Sequence, residues 1–307
     1  MAACFLLGKP MSWIQIRFTS NLNAQQELEE ALMAGGALSL TYQDAADQPI
    51  LEPGLYQTPL WDALVLTALF EADIDVKQTL ALCQQLYGKE LPPHKVEILE
   101  DKDWVREWMD SYQPMQMGKR LWICPSWCTP PDPQAVNLLL DPGLAFGTGT
   151  HPTTAMCLQQ LDSMDCKDKT VIDYGCGSGI LAIAALLLGA QSAVGVDIDP
   201  QAISASADNA ARNGIAKERI SLYLPPQMPK DLQADIVLAN ILAGPLVELA
   251  QPIMAMLKSG GQLVLSGLLV EQKENLIAAY TDIEFTQAHQ QEQWLCLYGI
   301  KKQSVYD

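Results

Sequence analysis

The sequence predicts a two-domain protein in which a small α+β domain precedes a mostly parallel α/β domain. Its length of 307 residues exceeds the usual size of a single domain. Between residues 11 and 100, strand and helix patterns follow the order β-α-β-β-α-β, which is typical of a ferredoxin-like sandwich. From Thr170 onward, strands alternate with helices, and such crossover connections require parallel strands.

The first domain, predicted over residues 11–100, begins with a half-buried strand. Residues 13–18 read WIQIRF, so every second side chain from Ile14 onward is apolar. The segment NAQQELEEALMAGG then predicts a helix that the glycine pair stops. The further elements are a strand at 37–43, a loop at 49–59, a strand at 63–73 for which a helix is also possible, a helix at 76–88 and a strand at 94–100.

A charged segment connects the two domains. Residues 101–112 read DKDWVREWMDSY, and Trp104 and Trp108 would share one face of a helix. The residues before Met11 read as an extension that precedes a second possible start. The resulting division is an extension at 1–10, the first domain at 11–100, a linker helix at 101–117, the second domain at 118–302 and a tail at 303–307.

The second domain opens with the strands LWICPSW and AVNLLLD. The strand segments after Thr170 are TVIDY, SAVGVDID, RISLYL, ADIVLAN, QLVLSG, IEFTQAH and WLCLYGI. The helices between them are GILAIAALLLG, PQAISASADNAARNG, PLVELAQPIMAMLKSGG with a break near Pro252, and VEQKENLIAAY. The last two strand segments are joined too tightly for a crossover helix, so we expect the final strand to insert antiparallel.

The charge balance narrows the class of partner. With 19 Lys and Arg against 36 Asp and Glu, the formal net charge is −17. Such a field repels nucleic-acid phosphates and favours basic partners, so we expect no direct nucleic-acid readout. The same acidity also fits a protein that its charge merely keeps soluble, and the sequence leaves both interpretations open.

Several other classes of site and location are disfavoured. The apolar run Ile180–Ala190 is shorter than the roughly 18 residues of a membrane span, so we expect no membrane partner. The N-terminus lacks the basic segment of a secretion signal. The 8 cysteines are scattered, which fits reduced thiols in a cytoplasmic protein. Only Cys124 and Cys128 lie close together, and without a second pair we expect no metal site.

The strongest functional signal is the turn VIDYGCGSGILAIA. A predicted strand ends at Asp173, and a loop containing Gly175 and Gly177 then opens a helix. Glycines at this edge let the backbone turn sharply and approach a ligand. The spacing is not the G-x-G-x-x-G of dinucleotide sites, and the Asp173 carboxylate would repel a pyrophosphate but attract an ammonium. We therefore predict that Asp173, Gly175 and Gly177 bind the amino-acid end of S-adenosylmethionine.

Asp197 lies at the end of the next strand, 22 residues after Gly175. At this distance an acidic side chain can accept hydrogen bonds from both ribose hydroxyls. Asp199 precedes Pro200 and is predicted to cap the following helix instead. An ordinary loop carboxylate is the alternative for Asp197.

Asn240 follows the apolar strand ADIVLAN. Its amide oxygen, together with the backbone carbonyls of Asn240 and Ile241, can accept hydrogen bonds from a substrate amine. Such bonds would aim the nitrogen lone pair at a methyl sulfonium, so we predict a catalytic role for Asn240. The alternative is a turn asparagine at the end of a strand.

The order of the motifs resembles one known family. EDKDWVREWMDSYQPM and LWICPSW come first, then LDPGLAFGTGTHPTT, VIDYGCGSGILAIAA, GVDIDPQAI, NA-RNG and VLANILAGPL. Together, over about Met11 to Lys301, they resemble the bacterial methyltransferases of ribosomal protein L11.

The resemblance implies a fold, an activity and site residues. The second domain would be a seven-stranded, Rossmann-like methyltransferase domain that binds S-adenosylmethionine, and the first a substrate-recognition domain on a mobile linker. The reaction would be methylation of lysine ε-amines and of the N-terminal α-amine of ribosomal protein L11, free or on the large subunit. Thr154, Gly175, Asp197 and Asn240 would occupy the family's cofactor-binding positions. The adenine contacts are not placed, because LYLPPQMP contains no acidic residue.

The glycine-rich stretch Asp141–Thr154, DPGLAFGTGTHPTT, could suggest a phosphate site. It contains no lysine or arginine and precedes the first strand of the sheet. We predict that it covers the methionine end of the cofactor, with Phe146 as a wall of the pocket and Thr154 heading the next helix and donating a hydrogen bond. A flexible connector is the alternative. His151 is interpreted as an ordinary loop histidine, with a catalytic base as the alternative.

Three other functions remain open at this point. A methyltransferase of the same fold could act on another protein amine or on a glutamine amide, although that class shows Asn-Pro-Pro-Tyr where NILAGP stands here. A nicotinamide-dependent dehydrogenase is opposed by Asp173 and by the glycine spacing. A non-catalytic ribosome-binding module is opposed by the intact glycine loop.

Overall fold

The structure, a computed structural model, describes residues 13–46, 60–99, 112–141, 147 and 149–303. The chain divides into two compact units, Met1–Met109 and Asp110–Asp307. The predicted loop at 49–59 and the predicted linker up to residue 111 lie outside the described residues. Within the described part of the chain, no helix is long and apolar enough to cross a membrane.

The described part of the first unit contains a four-stranded antiparallel sheet and two α-helices. Its elements are β1 Trp13–Asn21, α1 Gln25–Ala34, β2 Ser39–Asp44, β3 Ala63–Glu71, α2 Val76–Tyr87 and β4 His94–Leu99. β1 pairs with β3 and β4, and β2 pairs with β3, which gives the sheet order β2-β3-β1-β4. This is the predicted ferredoxin-like connectivity, and the segment for which a helix was possible is strand β3.

Strand alternation builds the core of the first unit. In β1, Ile14, Ile16 and Phe18 are buried, and the residues between them are only half-buried. Leu28 and Leu32 of α1 join them in one hydrophobic cluster, because residues four apart share a helical face. Burial of each such side chain contributes roughly 1.5–3 kcal/mol relative to exposure.

The second unit contains a large sheet and a small three-stranded sheet. Its strands are β5 Met115–Met117, β6 Leu121–Cys124, β7 Val136–Leu139, β8 Thr170–Tyr174, β9 Ser192–Val196, β10 Ile220–Tyr223, β11 Ala234–Asn240, β12 Leu257–Leu269, β13 Ile283–Gln291 and β14 Trp294–Lys301. Its helices are α3 Pro152–Ser163, α4 Ile180–Leu187, α5 Pro200–Arg212, α6 Ala243–Glu248, α7 Ala250–Ala255 and α8 Lys273–Ala279.

The large sheet has the order β10-β9-β8-β11-β12-β14-β13. Neighbours from β10 to β12 pair in parallel, and β14 inserts antiparallel between β12 and β13. The predicted seven-stranded, Rossmann-like sheet and the antiparallel insertion of the final strand are thus confirmed. Because parallel strands end at one edge of a sheet, the residues that follow β8, β9 and β11 meet there.

Helix α4 leads from this edge into the core. Every residue from Ile180 to Leu186 is buried, as the unbroken apolar sequence predicts. The helix packs against β8, β9 and the neighbouring helices α3 and α5. A helix enclosed on most sides fixes the position of the loop at its N-terminus.

Two predicted boundaries need correction. The linker helix cannot extend to residue 117, because Met115–Met117 is strand β5, which pairs antiparallel with β6 and buries Met117. The helix expected to break near Pro252 does break there, with α6 and α7 meeting at Leu249, but it ends at Ala255 rather than at Gly261, because β12 begins at Leu257. Pro252 therefore lies in the first turn of α7, where its missing N–H breaks no helical hydrogen bond.

Candidate active site

The loop between β8 and α4 lies at the carboxyl edge of the sheet. Gly175, Gly177 and Gly179 have φ angles of 80°, 53° and 78°, which glycine adopts without the strain that a side chain would cause. A Cβ atom on Gly175 would lie 2.2 Å from Cγ2 of Ile241. The conformation of this glycine loop, residues 175–179, therefore depends on glycine.

Asp197, directly after β9, is bonded to the glycine loop. Its Oδ2 accepts a hydrogen bond from the Gly177 N–H at 2.8 Å, and its Oδ1 accepts one from the Asp199 N–H at 2.9 Å. Each carboxylate oxygen keeps a lone pair for a further donor, so this geometry is compatible with the predicted ribose contact. Asp199 caps α5 by accepting from the Gln201 N–H at 2.8 Å, as predicted.

Asp173 lies in the interior beneath the glycine loop. Its side chain is fully buried, Oδ2 accepts from the Ala182 N–H at 3.1 Å, and Oδ1 has no hydrogen-bond partner among the described residues. Burial raises the pKa of Asp173 to about 7, the Ala182 N–H opposes the rise, and the nearby Asp197 adds to it. Because a buried carboxylate without a cation is costly, this position fits a ligand that brings a positive charge.

Asn240, the last residue of β11, contacts Thr154 of α3. Its Nδ2 donates to Oγ1 of Thr154 at 3.1 Å, and Thr154 is buried. This bond orients the amide and leaves Oδ1 as an acceptor for another group. Thr154 is the third residue of α3, which begins at Pro152, and in this contact it accepts a hydrogen bond rather than donating the predicted one.

His151 caps α3 and contacts an aromatic ring. Its Nδ1 lies 2.8 Å from Oγ1 of Thr153, and its ring meets Trp294 edge-on with the centroids 5.0 Å apart. Burial lowers the pKa of His151, and the charge of Glu292 opposes that shift. These contacts support a capping role for His151 over that of a base.

The stretch Asp141–Thr154 is described only in part. Phe146, the predicted pocket wall, lies outside the described residues, so its role stays a prediction. At Gly147 the stretch is joined to the glycine loop, because Oγ of Ser178 donates to the Gly147 carbonyl at 2.6 Å. A phosphate-binding loop lysine or arginine is absent from the sequence of this stretch.

Two further residues lie at the same edge of the sheet and were not predicted from the sequence to be near the site. Trp294 begins β14 opposite Leu269, so the antiparallel strand brings its first residue to the carboxyl edge. Ile198, next to Asp197, is 84 % exposed. The expected antiparallel insertion is the one signal that pointed to Trp294, whereas the pattern of apolar residues gives no sign that Ile198 faces solvent.

The described residues contain no group of three or more His, Cys, Asp or Glu side chains placed to hold a metal ion. The cysteines in the described part of the chain are free thiols, including the close pair Cys124 and Cys128.

Comparison with known proteins shows the family of this chain. The family model described as Ribosomal protein L11 methyltransferase (PrmA) matches residues 12–302. A ribosomal protein L11 methyltransferase of Saccharophagus degradans is 56 % identical over 293 residues, which are 95 % of this chain and 100 % of the relative. A protein of the same name from Pseudomonas savastanoi pv. phaseolicola is 58 % identical over 272 residues, 89 % of this chain and 93 % of the relative.

A solved structure agrees with this assignment. The crystal structure of a ribosomal protein L11 methylase from Lactobacillus delbrueckii subsp. bulgaricus is 32 % identical and superposes with a TM-score of 0.56, covering 62 % of this chain and 98 % of that chain. The glycine loop, the seven-stranded sheet and the near-complete match to the family model lead to one conclusion. The chain belongs to the ribosomal protein L11 methyltransferase family.

Proposed function

We propose that this protein transfers methyl groups from S-adenosylmethionine to lysine ε-amines and to the N-terminal α-amine of ribosomal protein L11. Its relatives that carry this name are identical at more than half of the aligned positions. The observation that carries the proposal is the hydrogen-bonded pair of Asn240 and Thr154 at the carboxyl edge of the sheet. Next to it, the glycine loop provides a backbone surface for a cationic nucleoside, and Asp173 and Asp197 beside the loop provide two carboxylates.

The residues around the glycine loop fit such a cofactor. Oδ1 of Asp173, which has no partner among the described residues, would pair with the cofactor ammonium. Asp197, held by the Gly177 N–H, would accept the ribose hydroxyls, and the exposed Ile198 beside it would offer an apolar contact to the base. Gly175 and Gly177 would give close backbone contact, with Phe146 and Thr154 at the methionine end. When bound, S-adenosylmethionine would supply a methyl group on its sulfonium: attack of an amine nitrogen on the methyl carbon would break the S–C bond and release the neutral thioether S-adenosylhomocysteine.

Asn240 would position the substrate nitrogen. Its Oδ1 can accept a hydrogen bond from the amine N–H, and its Nδ2 is already engaged by Thr154. A lysine amine has a pKa of about 10.4, so it must lose a proton to expose a lone pair. An amide oxygen does not take that proton, and we assign its removal to water. Holding the two reacting groups in line can lower the barrier by up to roughly 7–11 kcal/mol.

We propose ribosomal protein L11 as the protein partner, and the charge of this chain agrees with a basic partner. A net charge of −17 favours the approach of a basic surface and disfavours nucleic acid. We assign substrate recognition to the first domain, residues 11–100, and a connecting role to the linker at 101–117. With ribosomal protein L11, free or on the large subunit, as the substrate, we propose that the reaction takes place in the cytoplasm.

Mass spectrometry of purified ribosomal protein L11 tests this proposal. After incubation with the enzyme and S-adenosylmethionine, we expect mass increments of whole methyl groups on lysine residues and on the N-terminal amine. Replacement of the donor by S-adenosylhomocysteine is the control and should give no increment. If the enzyme binds the cofactor but leaves L11 unmodified, the substrate is a different protein amine or a glutamine amide.

A further inference from the structure

One face of α5 contacts two segments that border the candidate active site. The end of this helix carries the motif NAARNG, whose side chains have no role in the site described above. Asn209 lies three residues after Ser206, three residues before Arg212 and four residues before Asn213, which directly follows the helix. Side chains at such spacings lie on the same side of a helix.

Two of these side chains hold consecutive carbonyls of the glycine loop. Oγ of Ser206 donates to the Gly177 carbonyl at 2.9 Å, and Nδ2 of Asn209 donates to the Ser178 carbonyl at 2.9 Å. Both donors come from buried residues. Because the C=O and N–H of a trans peptide point in opposite directions, binding of the Gly177 carbonyl to α5 turns the Ser178 N–H away from α5.

The other two side chains hold the chain where it enters the stretch Asp141–Thr154. Asn213 forms two hydrogen bonds with the backbone of Leu139: its Oδ1 accepts from the N–H at 2.7 Å, and its Nδ2 donates to the carbonyl at 2.8 Å. Arg212 forms an ion pair with Asp141, with Nη1 and Oδ2 3.1 Å apart. Leu139 is the last residue of β7, so α5 fixes this stretch at its start.

Asn209 connects the two sets of contacts. While its Nδ2 holds Ser178, its Oδ1 accepts from Nη1 of Arg212 at 3.4 Å. Its backbone carbonyl accepts from Nδ2 of Asn213 at 2.8 Å. We propose that Asn209 is a positioning residue for cofactor binding, which fixes the glycine loop and the start of the stretch Asp141–Thr154 in one arrangement. The inference rests on the proposed function for the identity of the cofactor.

The variant Asn209→Asp separates the two contacts of this side chain. It keeps an oxygen for Arg212 but removes the donor to the buried Ser178 carbonyl, which is then left unsatisfied. We expect the dissociation constant of S-adenosylhomocysteine, measured by calorimetry, to rise about tenfold. KM for S-adenosylmethionine should rise in parallel, with kcat at saturating cofactor nearly unchanged. The matched control Asp208→Asn makes the inverse exchange at the exposed neighbouring position and should change none of these values.

A purely structural role gives a different result. In that case Asn209→Asp lowers the melting temperature but leaves the dissociation constant and KM of the folded protein unchanged, and the proposal is overturned. Arg212→Gln tests the same bridge independently, because the Arg212 guanidinium contacts both Asn209 and Asp141. This second variant keeps the proposal testable if Asn209→Asp does not fold. We expect it to weaken binding of S-adenosylhomocysteine several-fold, and an unchanged affinity would overturn the bridging role. If the unaltered protein binds no S-adenosylhomocysteine, the proposed function fails, and the positioning role fails with it.

Discussion

At the scale of single residues, the buried carboxyl group of Asp173 makes the stability of the folded protein depend on pH. Its pKa of about 7 lies above the value of 3.8 for an exposed aspartate. At a pH between these two pKa values, Asp173 is protonated in the folded protein and deprotonated in the unfolded chain. The contribution of Asp173 to stability therefore falls as the pH rises from about 4 to about 7. A difference of roughly three pKa units corresponds to about 4 kcal/mol.

Asp173→Asn should raise the melting temperature of the cofactor-free protein at about pH 8, where the native carboxylate is charged, and change it much less at about pH 5. The same variant should bind S-adenosylhomocysteine more weakly, because the carboxylate that we pair with the ammonium is gone. Thermal unfolding and calorimetry measure the two effects, and Asp231→Asn, at an exposed site, is the control. An equal shift at both pH values would contradict the assignment of the buried charge.

Asn240→Ala should lower kcat about a hundredfold or more, which is the range for loss of one preorganised polar group from a reacting centre. Binding of S-adenosylhomocysteine should weaken far less, because Asp173, Asp197 and the glycine loop remain. Turnover assays and calorimetry separate the two quantities. Equal losses of both would show that Asn240 binds cofactor without positioning the amine.

Thr154→Val keeps the shape of the side chain but removes the oxygen that accepts from Nδ2 of Asn240. We expect kcat at saturating cofactor to fall about tenfold, because the unpaired amide can turn its oxygen away from the substrate. Thr154→Ser retains the hydroxyl and should restore most of the rate. If Thr154→Val keeps the full rate while Thr154→Ser is impaired, the methyl group rather than the hydrogen bond positions Asn240.

At the scale of elements, the glycine loop is set by the packing of α4 below it and of α5 beside it. α4 is buried almost throughout, and α5 holds the carbonyls of Gly177 and Ser178. A side chain at Gly175 would clash with the residue that follows β11, because its Cβ would lie 2.2 Å from Cγ2 of Ile241. The affinity for cofactor thus depends on the packing of elements whose side chains need not touch it.

Gly175→Ala should abolish detectable binding of S-adenosylhomocysteine, because it adds both a clash with Ile241 and backbone strain at φ 80°. Gly214→Ala is the matched control for strain alone: φ is 67° there, and no atom lies within 4 Å of the added Cβ. It should lower stability by about 1 kcal/mol and leave binding intact. Ile241→Ala in the Gly175→Ala background should recover part of the affinity, and no recovery would mean that strain rather than the clash is decisive.

At the scale of the whole molecule, the excess of acidic residues should govern the encounter with substrate. KM for ribosomal protein L11 should rise with ionic strength between about 50 mM and 300 mM salt, because screening shortens the range of attraction. KM for S-adenosylmethionine should stay nearly constant, since its contacts are local. Initial rates at several salt concentrations measure both constants. A KM for L11 that does not depend on salt would assign the acidity to solubility alone.

The sequence predicts those parts of the site that are local along the chain. The glycine loop and Asp197 come directly after strand ends, so a single strand-turn pattern is enough to place them. The contact between Thr154 and Asn240 joins positions 86 residues apart, and the burial of Asp173 depends on how α4 packs. Such facts require the tertiary structure. Strand β5 was missed for a related reason, since three residues are too few to show a period.

The antiparallel insertion of β14 has a consequence for synthesis of the protein. β13 emerges from the ribosome before β14, yet β14 is its neighbour in the sheet, while β12 lies on the far side of β14. During translation, β13 therefore cannot pair with the sheet until β14, the strand that follows it in the chain, has been synthesised. A premature stop codon just before Trp294 would cost the sheet two strands rather than one.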